Sequence, residues 1–225
     1  MDRKFNRLLI IPARGGSKRI KNKNIKLFNR KPIIYYPIRE AIKSKLFSTI
    51  HVTTDSLKIY NAVSKINRAI CFYRPANLAT DKTPLMEVFR YVVKFYKKKK
   101  IMFNEIWFSN PCSPLIVSKD LKKAAKQFCK QKNNSLLSVS QYSPSLDWAF
   151  YKKKNILVPI NRNAQIKPSK DLKQYYYDTG NFGIFSKDVF YNKKKPLFSG
   201  YEIPRNRAVD IDNIDDWNLA LKLSK

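Results

Sequence analysis

Five cationic side chains surround a pair of glycines near the start of the chain, directly after an apolar run. The run is residues 8–11, and the glycines are Gly15 and Gly16. The polar side chains around them are Arg14, Ser17, Lys18, Arg19, Lys21 and Lys23. Glycine permits backbone angles closed to other residues, so the main chain can turn tightly and point N–H groups at an anion. The segment therefore predicts a phosphate-binding loop, although a Gly-Gly pair after a strand is common and the spacing is neither that of a Walker loop nor G-x-G-x-x-G.

A second group that could do chemistry is the carboxylate pair Asp210 and Asp212, near the end of the chain. In an extended segment both side chains lie on one face, where a shared Mg²⁺ would compensate their repulsion. Asp212 could instead cap a helix predicted over residues 214–223. Taken alone, such a pair is more often a turn or a cap than a metal site, so both interpretations stay open.

The elements that must position these groups alternate between short apolar segments and amphipathic ones. We predict strands at residues 8–11, 48–55, 69–73, 105–108 and 135–140, and helices at 32–46, 57–66, 85–96, from 118 and at 214–223. This cadence indicates an α/β fold with a mostly parallel sheet covered on both faces, whose ligands bind beyond the carboxyl ends of the strands. The polar loops at residues 13–24, 74–81 and 110–114 all fall there.

The rhythm changes between residues 141 and 180, where Pro144, Pro159 and Pro168 separate short apolar pieces. We predict a β-rich excursion that covers the site or contacts another subunit; a floppy insertion is the alternative. The length of 225 residues suits one domain, residues 1–225, that includes this excursion.

The chain is strongly basic, since 46 Lys and Arg residues against 16 Asp and Glu residues give a net charge of +30. Such an excess attracts nucleic acid, anionic membrane or an acidic small substrate, and the charge alone does not choose among them. Lysine runs such as residues 97–100, 152–154 and 193–195 are typical of solvated loops and helix ends. With 44% hydrophobic residues the chain should still fold around a core.

Other residue types narrow the class of protein. Three cysteines, Cys71, Cys112 and Cys129, form an odd count without metal-ligand spacing, which favours reduced thiols in a cytoplasm over a zinc site. His51 is the single histidine and lies within a predicted strand, so we expect a packed side chain and not a catalytic base. No apolar run approaches the ~18 residues of a membrane span. We therefore expect a cytoplasmic protein with no membrane partner and no specific nucleic-acid partner.

Four stretches together resemble the bacterial CMP-sugar synthetases, the cytidylyltransferases that activate nine-carbon acidic sugars. They are Ile-Pro-Ala-Arg-Gly-Gly-Ser-Lys-Arg-Ile at residues 11–20 followed by Lys23-Asn24, Arg74-Pro75 with Leu-Ala-Thr-Asp at 78–81, Pro-Cys-Ser-Pro at 111–114, and Val-Asp-Ile-Asp at 209–212. Within that family, Asp-Thr-Gly-Asn-Phe at residues 178–182 is similar to the Asp-Ala-Gly-Gln-Phe type of string in pseudaminic acid cytidylyltransferases.

The resemblance implies a single Rossmann-like nucleotidyltransferase domain, a homodimer formed through the excursion, and transfer of CMP from CTP to a nonulosonic acid with release of pyrophosphate. It implies Mg²⁺ held by Asp210 and Asp212, with Arg14 and Lys23 also catalytic. The implied nucleotide contacts are Ala13, Arg14, Gly15, Ser17, Lys18, Lys23, Asn24, Arg74, Asp81, Asn110 and Ser113, with Asn24 and Arg74 reading cytosine. The implied sugar contacts are Asp178, Thr179, Gly180 and Asn181.

Several positions depart from the family pattern and keep other functions open. Asn110, Cys112, Ile116 and Trp148 stand where many relatives have other residues, so CMP-N-acetylneuraminic and CMP-legionaminic acid synthetases are alternatives to the pseudaminic acid enzyme. A basic nucleic-acid-binding protein on the same fold is the non-enzyme alternative, although the lysine runs lie outside the specific motifs.

Overall fold

The computed structural model describes residues 6–224. In chain order the strands are β1 (Arg7–Pro12), β2 (Leu27–Phe28), β3 (Lys31–Pro32), β4 (Thr49–Thr54), β5 (Ala69–Tyr73), β6 (Glu105–Ser109), β7 (Ser135–Gln141), β8 (Phe150–Lys153), β9 (Ile156–Pro159), β10 (Tyr176–Ser186) and β11 (Phe198–Glu202). The helices are α1 (Tyr35–Ser44), α2 (Leu57–Ser64), α3 (Leu85–Lys98), α4 (Ser118–Lys130), α5 (Lys187–Tyr191) and α6 (Ile214–Leu223).

Seven strands form the central sheet in the order β11-β7-β10-β6-β1-β4-β5. Every neighbouring pair is parallel except those of β10, which runs antiparallel to both β6 and β7. The predicted mostly parallel α/β sheet is therefore confirmed. The carboxyl ends of six strands meet at one edge of the sheet, and this arrangement brings their polar loops together.

The apolar run of β1 is buried on both faces because helices cover the sheet from both sides. Leu9 and Ile11 pack with residues of α1 and α4, whereas Leu8 and Ile10 pack with residues of α3. His51 of β4 belongs to this interior: its Nδ1 lies 3.1 Å from Tyr96 Oη, and burial lowers its pKa to about 3. The prediction of a packed histidine is confirmed.

Two parts of the chain differ from the predicted elements, the start of the first helix and the edge strand β11. Pro32 does not open the first helix; it pairs with Leu27 in a small hairpin, and α1 begins at Tyr35. Strand β11 was not predicted, because Phe-Ser-Gly-Tyr-Glu has no sustained apolar run and lies at the sheet edge. A Cβ on Gly200 would come within 2.8 Å of Val139, so a glycine lets β11 lie flat against β7.

The excursion contains the antiparallel hairpin β8–β9 and several 3₁₀ turns, in agreement with a partly β-rich segment. Its centre is Asp147, which is 9% exposed and accepts hydrogen bonds from Asn161 and Tyr175, each at 3.0 Å. Trp148 Nε1 donates to the Ala164 carbonyl at 2.9 Å. These bonds tie the excursion together and favour the ordered alternative over a floppy insertion.

Two further features of the chain are its cysteines and the lengths of its helices. The three cysteines, Cys71, Cys112 and Cys129, are free thiols. Within residues 6–224, none of the helices is long and apolar enough to span a bilayer.

Candidate active site

A cavity of about 480 Å³ opens beyond the carboxyl ends of β1 and β6. Its walls come from the glycine turn, the loops after β5 and β6, the kink in β10 and the segment before α6. The lining residues are Pro12, Arg14, Ser17, Lys18, Arg19, Ile20, Lys23, Asn24, Asp81, Leu85, Phe108, Asn110, Pro111, Gly180 and Asp212. Four of these side chains are cationic and two are carboxylates, so the cavity suits an anionic ligand.

The glycine turn is fixed by the end of the neighbouring strand. The Gly15 N–H donates to Asp55 Oδ1 at 2.8 Å, and a Cβ on Gly15 would lie 2.9 Å from the Ser56 Cβ. Only glycine fits this approach. One of the two N–H groups expected to face an anion is therefore already bonded to a carboxylate, whereas a Cβ on Gly16 would meet no atom within 4 Å.

Asp81 bridges two cations of the turn. Its carboxylate pairs with the Arg14 guanidinium and, at 2.7 Å, with Lys18 Nζ. The hydrogen bonds from Lys18 and Arg14 lower the pKa of Asp81. Arg14 and Lys18 are the groups expected to hold phosphate. The Asp81 carboxylate therefore binds the same two cations that a phosphate would bind.

Asn24 stabilises the glycine turn through hydrogen bonds of its side-chain amide. Its side-chain Nδ2 donates to the Arg14 carbonyl at 2.8 Å, and its Oδ1 accepts from Cys112 Sγ at 3.2 Å. Asn24 is 5% exposed and still lines the cavity. Burial raises the pKa of Cys112 to about 12, so this thiol stays protonated at neutral pH. Both ends of the amide are therefore engaged in positioning Arg14 and the loop after β6.

Lys23 joins the turn to the carboxylate pair. Its Nζ donates to the Ile211 carbonyl at 2.6 Å and lies 3.5 Å from Asp212 Oδ1, which Arg19 also contacts at 3.0 Å. Asp212 does not cap α6; that role belongs to Asn213, whose side chain accepts from the N–H groups of Asp215 and Asp216. The cap alternative for Asp212 is therefore wrong.

The carboxylate pair has the properties of a cation site. Desolvation raises the pKa of Asp210, and the neighbouring Asp212 carboxylate raises it further. Mg²⁺ in nucleotide sites is held by one or two carboxylates together with phosphate oxygens and water. No cluster of three or more His, Cys, Asp or Glu side chains within residues 6–224 is arranged to hold a metal, so this pair would supply the protein ligands alone. The residues present fit such an ion.

The structure places several predicted nucleotide contacts behind the cavity wall. Arg74 is 7% exposed; burial lowers its pKa, Asp55 opposes this shift and Arg14 adds to it. Ala13 and Ser113 are also buried, and Ser113 Oγ has no hydrogen-bond partner, like Arg74 Nε. None of these three lines the cavity, whereas Asn110 does.

The predicted sugar residues form a kink in β10, where the register shifts between Asp178 and Gly183. Asp178 Oδ1 accepts from the Gly180 N–H at 2.8 Å, and Gly180 has a φ of 65°. Thr179 Oγ1 donates to Ser138 on β7, and the Asn181 carbonyl accepts from the Asn110 N–H at 2.9 Å. Of the four, Gly180 reaches the cavity, while the others stabilise the kink or lie buried beside it.

Asp55, and Arg19 as a partner of Asp212, were not among the predicted site residues. Asp55 follows β4, so the rule that ligands gather at the carboxyl ends of parallel strands could have found it. The cavity also takes apolar walls from Ile20, Leu85 and Phe108, and nothing in their local sequence distinguishes them from core residues.

A family model described as Cytidylyltransferase matches residues 8–213. Among curated proteins, the chain is 30% identical over 222 residues to a pseudaminic acid cytidylyltransferase from Campylobacter jejuni, covering 97% of this chain and 96% of that one. It is 27% identical over 227 residues to a CMP-N,N'-diacetyllegionaminic acid synthase from Legionella pneumophila, covering 96% and 95%. It is 36% identical over 225 residues to post-translational flagellin modification protein B from Campylobacter coli, covering 97% and 94%.

Among solved structures, the fold is similar to that of a CMP:2-keto-3-deoxy-manno-octonic acid synthetase complexed with CTP. The TM-score is 0.71 at 14% identity, and the match covers 97% of this chain and 98% of that chain. A 4-diphosphocytidyl-2C-methyl-D-erythritol synthase gives a TM-score of 0.70 at 10% identity, with coverage of 98% and 99%. These matches confirm the Rossmann-like nucleotidyltransferase fold.

The Asp81 bridge leads to a prediction for anion binding. Asp81→Asn should bind inorganic pyrophosphate about two- to fivefold more tightly, because Arg14 and Lys18 lose an internal competitor of the strength typical of an exposed ion pair. Isothermal titration calorimetry measures the dissociation constant. Asp171→Asn removes the same charge from the exposed excursion and should leave it unchanged. Weaker binding by Asp81→Asn would show that the carboxylate supports the anion site.

Proposed function

The chain belongs to the cytidylyltransferase family, and on that basis we propose that it transfers CMP from CTP to the anomeric hydroxyl of a nonulosonic acid, with pseudaminic acid preferred. Pyrophosphate is the second product. The observation that carries the proposal is the convergence of Arg14, Lys18 and Lys23 on one cavity that Asp212 also lines. Relatives named for this reaction extend over almost the whole chain.

The cationic groups suit a single displacement at phosphorus. The anomeric oxygen of the sugar attacks the α-phosphorus, the bond from that phosphorus to the oxygen bridging to the β-phosphate breaks, and pyrophosphate leaves with the electron pair. Solvent takes the hydroxyl proton. Arg14, Lys18 and Lys23 stabilise the charge that develops on the phosphate oxygens. The buried Cys112 stays a thiol, so a thiolate nucleophile is not available at this wall.

Asp210 and Asp212 would hold the Mg²⁺ that a triphosphate substrate requires. The bound ion would supply positive charge that polarises the α-phosphate. Lys23 keeps the segment that carries both carboxylates against the glycine turn through its bond to the Ile211 carbonyl. Arg19 and Lys23 also offset part of the negative charge on Asp212.

Base recognition is proposed for the region of Asn24 and Arg74, as the family resemblance implies. Asn24 would act by fixing the Arg14 carbonyl, which it contacts directly. Arg74 has a buried Nε without a hydrogen-bond partner, and this donor is the group that we propose for base recognition.

The sugar is proposed to sit at the β10 kink. Gly180 brings backbone without a side chain to the cavity, close to Asp210: a Cβ built there would be 3.9 Å from Asp210 Oδ2. Such a wall admits a bulky ring next to the carboxylate pair. Aromatic side chains at Tyr177 and Phe182 flank the kink, one partly exposed and one buried.

We also propose a homodimer formed through the excursion, working in the cytoplasm, where CTP and reduced thiols are both found. Its hairpin exposes large apolar side chains that the protomer leaves uncovered: Phe150 48%, Tyr151 53%, Ile156 68% and Leu157 63%, with Ile160 at 63% and Ile166 at 91%. Contiguous apolar surface of this kind marks an interface in soluble proteins.

The function is tested by product analysis with CTP and a panel of nonulosonic acids. We expect the CMP-sugar and one equivalent of pyrophosphate, with a higher kcat/KM for pseudaminic acid than for N,N'-diacetyllegionaminic or N-acetylneuraminic acid. Mass spectrometry identifies the nucleotide sugar. A preference for either other sugar would move the assignment within the family, and failure to release pyrophosphate from CTP with every sugar would overturn it.

The carboxylate pair gives a second prediction. Asp210→Asn should lower kcat by about 100-fold or more, because a group that stabilises charge in the transition state is lost. Asp215→Asn, which removes a nearby exposed carboxylate, should keep kcat within about twofold. Rates measured against Mg²⁺ concentration check both variants. Wild-type Mg²⁺-dependent turnover in a folded Asp210→Asn variant would defeat the metal assignment.

The dimer is tested at the hairpin. The double variant Ile156→Asp and Leu157→Asp should shift the protein from dimer to monomer, because it places one charge on each face of the hairpin and the face in the interface would bury a charge. Leu57→Asp, at a position 62% exposed on the first turn of α2, is the control and should stay dimeric. Size-exclusion chromatography with light scattering measures the mass. A monomeric wild-type protein at micromolar concentration would contradict the proposal.

A further inference from the structure

A strongly basic surface lies at the end of the molecule opposite the cavity. Helix α3 connects the two ends: Leu85 at its start lines the cavity, and Lys98 at its end lines a groove of about 860 Å³. Fourteen helical residues span roughly 20 Å, so the two regions are well separated. The groove lies between α3 and α5, at the edge of the sheet where the parallel strands begin. Its lining residues are Arg90, Val93, Lys94, Lys97, Lys98, Phe190, Tyr191 and Lys193. We call this end of the molecule the basic pole.

The five groove cations, Arg90, Lys94, Lys97, Lys98 and Lys193, have no carboxylate partner among the described ion pairs of residues 6–224. Asp188, the carboxylate on α5, pairs with Lys194 instead, at 3.6 Å. Arg90 and Lys94 are four residues apart on one helix face, where like charges destabilise a helix. The negative end of the α3 dipole accounts for Lys97 and Lys98 in the last turn but not for Arg90 and Lys94. This arrangement is therefore best compensated by an external anion.

Exposed apolar side chains follow each of the two lysine-rich segments of the basic pole. Ile101 and Met102 follow the lysines of α3 and are 40% and 48% exposed, and Leu197 and Phe198 follow residues 193–195 and are 62% and 48% exposed. Both segments lie beside α5: the Phe103 N–H, next to Met102, donates to Tyr191 Oη at 3.2 Å, and the rings of Phe190 and Phe198 both pack edge-on against Phe185. Asn134 binds the backbone of both Ser186 and Leu197 and so fixes the second segment beside α5. Cations and exposed apolar groups thus share one surface.

We propose that the basic pole docks the enzyme on an anionic lipid bilayer. Polybasic segments gain affinity for anionic lipid headgroups, and adjacent apolar side chains add affinity by entering the interface. The sequence had led us to expect no membrane partner, but that expectation concerned spanning segments, and this surface lies on the bilayer without crossing it. The cavity at the opposite end stays open to solvent.

The chemistry of the pole favours a bilayer over nucleic acid. Nucleic-acid surfaces without base-specific contacts use exposed aromatic faces on which bases stack. Here Tyr191 is held by its bond to the Phe103 N–H, and Phe190 packs edge-on against Phe185 with ring centroids 5.8 Å apart. Three of the four exposed apolar side chains, Ile101, Met102 and Leu197, are aliphatic chains that offer no stacking surface.

The test is co-flotation of the full chain with vesicles at physiological salt. Vesicles of phosphatidylcholine with 30% phosphatidylglycerol should carry the protein, and pure phosphatidylcholine vesicles should not. The pole variant Lys94→Gln, Lys97→Gln, Lys98→Gln and Lys193→Gln should lose at least about tenfold in affinity, since each lysine near an anionic surface contributes about fivefold. The matched control Lys119→Gln, Lys122→Gln, Lys123→Gln and Lys126→Gln removes four exposed lysines from α4, on the other face of the sheet, and should bind within about twofold of wild type.

A third variant separates the bilayer from other polyanions. Ile101→Ser with Leu197→Ser should weaken vesicle binding severalfold and leave binding of a labelled single-stranded RNA 20-mer unchanged. Circular dichroism and thermal melting establish that every variant is folded. Absence of binding to the anionic vesicles, an equal loss in the α4 control, or tighter binding of the RNA than of the vesicles at the same salt would each overturn the proposal.

Discussion

Compensation of the positive charge in the glycine turn is the constraint on which the rest of the site depends. Arg14, Lys18 and Lys23 line one cavity, so their charges repel one another unless carboxylates or a bound anion lie nearby. The three carboxylates come from distant parts of the chain: Asp55 bonds the Gly15 N–H, Asp81 bridges Arg14 and Lys18, and Asp212 pairs with Lys23. A triphosphate would bring its own negative charge to the same cations, so these contacts keep the turn in shape before the substrate arrives.

The sheet topology brings the first two of these carboxylates to the glycine turn. Parallel strands β1, β4 and β5 end at one edge of the sheet, so the residues that follow them become neighbours. Another wall of the cavity comes from β10, which is antiparallel to its neighbours and kinked at Gly180. Thr179 anchors the kink to Ser138 on the next strand. The residues next to Gly180 therefore set the backbone position of the one residue of the kink that lines the cavity.

The parts of this structure that follow local rules were predictable from the sequence. The glycine turn, four parallel βα units and the polar loops after the strands all follow from apolar runs and helical spacing. The parts that depend on partners distant in sequence were not predictable. The pairing of Arg19 with Asp212 depends on the segment before α6 lying beside the glycine turn, and the supporting role of Asn24 depends on its contact with the Arg14 carbonyl. Strand β11 was not predictable because its pairing depends on the close approach of Gly200 to Val139 on β7. The family resemblance supplied residue roles that no local pattern gives.

The cations that give the net charge of +30 differ in their ion pairing between the two ends of the molecule. At the cavity, carboxylates pair with Arg14, Lys18, Arg19 and Lys23. At the basic pole, Asp188 pairs with Lys194, and Lys94, Lys97 and Lys193 face one groove with no such partner among the described residues. Composition alone would place lysines at both ends but would not explain this difference in pairing. A catalytic cavity needs its cations held in fixed positions by carboxylates, whereas a docking surface keeps its cations available for an external anion. Pairing, more than the number of charges, therefore distinguishes the two functions.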